Sequence, residues 1–160
     1  MHFRFVSLFI WCENTRLALW IKGATWVFAI IETIHIIGLT LLLGTIVIVD
    51  FRLLGLGMRK QTVGELAGEL SPWTSLGLVL MILTGIPMFV SEAVRLYSSG
   101  PFYIKMAFLL LAVSFHFTLH RKAIASWTKE NAWRGRIAAC VSLTCWLGVA
   151  LAGRVIAFLP

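Results

Sequence analysis

Residues 26–49, 73–90, 102–120 and 137–159 form four apolar stretches with few interruptions, and most of the charged residues gather between them. Each stretch is about 20 residues long, enough at 1.5 Å per residue to cross the roughly 30 Å hydrocarbon layer of a bilayer. The runs are continuous and lack the strict alternation of a barrel strand, so they predict helices. A helix also satisfies its own backbone hydrogen bonds, as a segment surrounded by lipid must. The pattern predicts an all-α fold, an integral membrane four-helix bundle read as one transmembrane domain over residues 1–160.

The stretches outside the spans refine this picture. Phe5, Leu8, Phe9 and Cys12 recur every three to four residues, with Trp11, Trp20 and Trp26 as interfacial anchors. Residues 1–22 therefore read as an amphipathic interfacial helix lying on the membrane surface. Arg4, Glu13, Asn14 and Arg16 do not fit a cleaved signal peptide, and no small-residue cleavage site accompanies them. Residues 63–70 read as a short amphipathic helix ended by Pro72, and residues 123–135 as a connector of the same kind. Pro87 predicts a kink in the second span. Gly38, Gly44, Gly77, Gly85, Gly148 and Gly153 are small residues that allow close helix contact.

Composition agrees with membrane residence. Hydrophobic residues make up 59% of the chain and the mean hydropathy is +0.90, more apolar side chain than a soluble domain of 160 residues can hide. Charge adds an orientation. The first connector carries Asp50, Arg52, Arg59, Lys60, Glu65 and Glu69, and the third carries Arg121, Lys122, Lys129, Glu130, Arg134 and Arg136. With four spans these connectors share a side, and they hold eight of the fourteen lysines and arginines. The positive-inside rule places them in the cytoplasm, so both termini and residues 91–101 face outward. Arg52 and Arg121 are expected to reach phosphate headgroups, and Asp50 to pair with His120 or Arg121. The net charge of +7 records this bias together with attraction to anionic lipid, and it implies no nucleic-acid partner. Cys12, Cys140 and Cys145 make no disulfide framework, and Cys140 and Cys145 read as core thiols of the last span.

Against this background the polar residues of the spans carry the chemistry, because an ionisable group at bilayer depth usually marks a ligand, a proton route or an internal pair. Glu32 and His35 share a face of the first span, about 9 Å and 13 Å below its outer edge. Lys105 lies near the outer edge of the third span, with His116 about 21 Å down and His120 one turn further. Arg154 sits about 7 Å inside the outer edge of the fourth. Glu32, Lys105 and Arg154 are thus expected to meet in the outer half of the bundle. Their excess positive charge suits an anionic guest such as a haem propionate or a quinone oxygen. Imidazole is a usual ligand of haem iron, and His35 and His116 on different helices suit a bis-histidine haem b. His120 is a further metal candidate or, alternatively, a histidine finishing its span at the interface. Internal hydrogen bonding, with His35 to Glu32 and His116 as a cross-link or proton-relay member, is the competing reading of the other two. Met81 and Met88 read as core. No nucleotide loop, dinucleotide fingerprint, zinc hydrolase motif or close-spaced cysteine pair occurs, and Ser114, Ser142 and Thr144 lie in no nucleophile arrangement.

Several segments together carry a family resemblance. They are Ile31-Glu32-Thr33-Ile34-His35-Ile36-Ile37-Gly38, Asp50-Phe51-Arg52-Leu53-Leu54-Gly55, Ser71-Pro72-Trp73, Thr84-Gly85, Pro101-Phe102-Tyr103-Ile104-Lys105, Trp146-Leu147-Gly148 and Gly153-Arg154-Val155-Ile156-Ala157-Phe158. With these the chain resembles an uncharacterised family of small bacterial membrane proteins, a domain-of-unknown-function family. That resemblance implies a four-helix protein of the bacterial inner membrane, with periplasmic termini on the orientation above. More distantly, His35, Lys105 and His116 are similar to the pattern of the copper-resistance D domain and of HemJ-type protoporphyrinogen oxidases. In that oxidase group the membrane histidine and lysine are linked to haem binding and activity. The rest of the pattern is short here, so the oxidase activity is not implied.

These readings converge on a haem-b-binding membrane protein of electron-transfer type, with His35 and His116 as ligands and Lys105, Arg154 and Glu32 around the cofactor. Quinone and a membrane or periplasmic oxidoreductase are the expected partners. A structural or assembly subunit of a membrane complex, and a transport module for a small anion or metal that works as a homo-oligomer, are the alternatives.

Overall fold

A computed structural model of the chain describes residues 2–57, 60–128 and 131–158, with only the backbone for residues 2–5 and 25. Arg59, Lys129, Glu130 and Leu159, used above for topology and span ends, lie outside the described residues, as do the side chains of Arg4 and Phe5. The described residues are all helical or turn, with no strand. The helices are α1 (His2–Glu13), α2 (Arg16–Gly23), α3 (Thr25–Leu54), α4 (Val63–Ser91), α5 (Ala93–Tyr97), α6 (Gly100–Phe115), α7 (Arg121–Ala125) and α8 (Ala132–Phe158), with a π-helical turn His116–His120 joining α6 to α7. Four stretches are long and apolar enough to cross a membrane: Trp26–Leu54, Val63–Ser91, Gly100–Ala125 and Ala132–Phe158. The fold is all-α and consistent with a four-helix transmembrane bundle.

Most of the long helices run past the apolar stretches that announce them. Asp50 does not end α3, because its carboxylate is buried and bonded within the protein rather than turned to water. The helix stops at Gly55, whose φ of +84° is a left-handed conformation that glycine adopts without steric cost. Leu56 N–H then donates to the Phe51 carbonyl at 2.8 Å, closing the C-terminus in the manner of a Schellman motif. At the start of α4 a capping box closes the opposite kind of end. Thr62 N–H donates to Glu65 Oε2 at 2.9 Å, and Glu65 N–H donates to Thr62 Oγ1 at 3.2 Å. The separate helix expected over 63–70 is absent: α4 continues through Pro72. Val63 and Leu66 are buried ahead of the proline, and Thr74 beyond it bonds Thr45 Oγ1 at 2.9 Å. Contacts on both sides keep the helix whole, and the proline costs it one hydrogen bond.

Two compact units emerge within the chain. The first holds residues 1–42 and 75–100. Here α3 and α4 approach closely through glycine. A Cβ at Gly77 would lie 2.7 Å from the Leu42 nitrogen, and one at Gly38 would lie 2.9 Å from the Leu80 Cβ. The surface helix expected over 1–22 is two helices, broken at Asn14 because Thr15 caps α2, its Oγ1 accepting from Ala18 N–H at 3.3 Å. Phe9 packs on Phe89 and Tyr97 with ring centroids 5.7 Å and 5.0 Å away. Glu13 accepts from Val94 N–H at 2.6 Å and pairs with Lys22, so one carboxylate joins α1, α2 and α5.

The second unit holds residues 43–74 and 101–160. Val49, Leu53, Val63 and Ala139 form its core, with Leu54, Ala67, Leu70, Ile124 and Trp127 packed around them. Arg52 does not run free toward lipid headgroups. Its Nε and Nη2 donate to the Gln61 carbonyl at 3.1 and 2.9 Å, and its guanidinium lies 5.6 Å from the centre of the Trp127 ring. The buried face of α8 runs through Gly135, Ala138, Ala139, Ser142, Trp146, Val149 and Ala152, small residues for the most part.

Candidate functional site

The second unit encloses a polar cluster where α3 nears its end. His120 Nε2 lies 2.6 Å from Asp50 Oδ1, with 1% of the histidine side chain and none of the aspartate exposed. A carboxylate oxygen accepts, so Nε2 carries a proton and the ring is fixed in orientation. His116 stacks on His120, centroids 5.3 Å apart and planes 25° from parallel. Ser142 of α8 faces the same carboxylate but falls short of hydrogen-bond geometry.

Two features set this cluster apart from packing. Asp50 Oδ2, His116 Nδ1, His120 Nδ1 and Ser142 Oγ are all buried with no hydrogen-bond partner among the described residues. Each such atom costs about 1–3 kcal/mol if nothing satisfies it. Both histidines also lie on the π-helical turn, a local widening of the helix that recurs at functional sites. Asp50 pairs with His120, as expected, rather than with Arg121. His120 is moreover buried in the core of this unit. The length of α3 explains this: the helix carries Asp50 inside the unit, where only a buried donor can meet it.

The first unit holds His35. Its Nδ1 lies 2.8 Å from Thr84 Oγ1, and the Thr84 hydroxyl is also 2.6 Å from the Leu80 carbonyl. The hydroxyl has one proton, and the carbonyl can only accept, so that proton goes to Leu80. Toward His35 the threonine then accepts, which assigns the Nδ1–H tautomer and leaves the lone pair on Nε2. Gly85 flanks the ring: a Cβ there would lie 3.4 Å from His35 Cε1. A ring N–H donated to a fixed acceptor is the arrangement that orients metal-binding histidines.

The other residues singled out by the sequence divide between the units. Glu32 lies in the first unit, half-buried and without a hydrogen bond or ion pair there among the described residues. Lys105 and Arg154 lie in the second. The Lys105 side chain rests on Gly153, its Nζ 3.6 Å from where a Cβ would be, and the Arg154 guanidinium sits 4.8 Å from the Phe158 ring centre. Among the described residues no three histidine, cysteine, aspartate or glutamate side chains converge as a metal site.

Sequence reading misses Thr84 and Ser142 as partners. Ser142 carries a signal nonetheless, since it falls in the three-and-four spacing of small residues that α8 buries. Thr84 stands beside Gly85 in an otherwise apolar span, but only the packing of α4 on α3 identifies its partner.

The chain belongs to a family of unknown function, DUF6644, whose model matches residues 8–159. No curated protein and no solved structure matches it.

Proposed function

We propose that the chain is a haem-b-binding integral membrane protein of electron-transfer type that exchanges electrons with quinone or with an oxidoreductase subunit. The observation that carries this reading is the Thr84–His35 hydrogen bond, which fixes the orientation of an imidazole within an apolar span. The residues fit the group in two further respects. Glycine at position 85 keeps the flank of the imidazole open, and the ring sits on a helix of an apolar unit, the setting in which haem potentials are tuned by burial. The bound group would supply one-electron chemistry between ferric and ferrous iron. The chain's own part is to hold the imidazole, fix its tautomer and keep water away. His116, the other histidine expected from the sequence, has a buried Nδ1 without a hydrogen-bond partner among the described residues.

Protein purified from haem-replete cells should show a sharp reduced-minus-oxidised haem band. His35→Ala and His116→Ala should each abolish or broaden it. A colourless, iron-free preparation overturns the reading.

One observation favours a second reading, a structural or assembly subunit. The Asp50–His120 pair joins two segments and is fully buried, as an architectural cross-link would be. A stoichiometric partner co-purifying with a cofactor-free chain supports that alternative.

A further inference from the structure

The described acids of the second unit gather at one end. They are Asp50 on α3, and Glu65 and Glu69 near the start of α4. All three belong to the end marked by the α3–α4 connector, where Gln61 Nε2 donates to Glu69 Oε2 at 3.1 Å and Asp50 bonds His120. Lys105 stands fifteen residues before His120 on a helix continuous apart from the π turn, so roughly 22 Å separates it from that end. Arg154 lies near the far end of α8, which returns from the same connector side. Neither residues 101–119 nor residues 137–160 contain an aspartate or a glutamate.

Lys105 packs at Gly153, the residue that precedes Arg154 on α8. Lys105 lays its Cδ, Cε and Nζ against the backbone of Gly153, all within 3.6–3.8 Å of the missing side chain's position, and Arg154 is the next residue along. The lysine is half-buried and has no hydrogen-bond or ion-pair partner among the described residues. Aromatic rings accompany the pair. Phe102 and Tyr103, with ring centroids 5.8 Å apart, open the lysine's own helix, and Phe158 lies under the guanidinium. Aromatic residues of this kind mark the boundary between hydrocarbon and headgroup.

We propose that Lys105 and Arg154 form a binding site for the phosphodiester of an anionic phospholipid, at the end of α6 and α8 remote from Asp50. A phosphate offers several acceptor oxygens, enough for an ammonium and a guanidinium at once, and its charge offsets the pair. The aliphatic stem of Lys105 and the ring of Phe158 would lie along the glycerol and the first methylenes. The glycine at 153 lets the lysine stem lie along α8, where an added Cβ would make ordinary van der Waals contact with it at 3.6–3.8 Å. This site does not rest on the haem reading.

The test is lipid retention by native mass spectrometry after reconstitution in equimolar phosphatidylglycerol and phosphatidylcholine. The unaltered chain should retain phosphatidylglycerol in preference, by a factor on the order of ten for two cations near the surface. Lys105→Gln with Arg154→Gln should lower the ratio several-fold, to the residual preference of the connector cations, whereas Lys105→Arg with Arg154→Lys should preserve it. Lys122→Gln, an exposed cation at the opposite end, should leave it unchanged. Equal retention of both lipids by the unaltered chain overturns the proposal. Displacement of phosphatidylglycerol by millimolar inorganic phosphate overturns the lipid as the source of the phosphate. If the double glutamine variant loses haem absorbance but keeps its lipid preference, the cations serve the cofactor's carboxylates and the proposal falls. Failure of the haem reading alone leaves the lipid ratio as stated.

Discussion

At the scale of single residues, Asp50 and His120 illustrate how burial changes the worth of a charge. On a surface, an aspartate–histidine contact contributes a fraction of a kcal/mol; inside, losing one partner strands the other. Asp50→Ala and His120→Ala are each expected to lower stability by about 3 kcal/mol, and the double variant by clearly less than the sum. Denaturation of the detergent-solubilised protein as a double-mutant cycle measures this, and strict additivity would show that the two groups do not support each other. Thr84 is the other decisive residue. Thr84→Val removes the acceptor for His35 Nδ1–H, while Thr84→Ser restores it. Nitrogen chemical shifts of the His35 ring should therefore move for valine and return for serine. Identical spectra in all three proteins would remove the tautomer argument for His35 as a ligand.

The element scale brings in the glycines and the outer helices. A Cβ at Gly77 would stand 2.7 Å from a backbone atom of α3, and backbone cannot swing aside, so Gly77→Ala should destabilise by about 1–3 kcal/mol. Gly44 has nothing within 4 Å, and Gly44→Ala should be neutral or slightly stabilising through helix propensity. Thermal midpoints of the two variants in one detergent decide this, and equal shifts would contradict the close approach. The clasp of α1, α2 and α5 depends on Glu13. Its hydrogen bond to Lys22 holds the carboxyl below the usual carboxylate range, with the bond to Val94 N–H adding to the effect and burial opposing it. A lowered folded-state value means the clasp contributes fully above the ordinary carboxylate range and is lost as pH falls through the lowered value. Amide exchange in α5 should accelerate as the pH is taken down through that range, after correction for intrinsic rates. Glu13→Gln should show the faster exchange throughout and no further pH step.

For the whole molecule, the distribution of lysine and arginine gives an orientation that labelling can check. In a chain freed of Cys12, Cys140 and Cys145, Ser98→Cys should react with a membrane-impermeant maleimide in spheroplasts, and Ser126→Cys only after permeabilisation. Both serines are exposed, so access to reagent reports sidedness and not burial. The reverse pattern would invert the topology and place the Lys105–Arg154 end in the cytoplasm.

The sequence by itself determines the number of membrane-crossing stretches, because about 20 consecutive apolar residues have one stable use and it needs no knowledge of neighbours. It also determines that Asp50 seeks His120 or Arg121, since all three fall at span ends on one side. Where the helices end is not written there. Hydropathy falls at the first charge, yet α3 runs on past Asp50 and α4 through Pro72, because contacts with other segments satisfy what the local sequence leaves open. Neither is the choice of partner: Thr84 for His35, Ser142 beside Asp50 and Gln61 for Arg52 come from distant parts of the chain. Burial and hydrogen bonding depend on which helix faces are brought together. Only the tertiary structure decides that, since the faces of a uniformly apolar helix look alike until something packs on them.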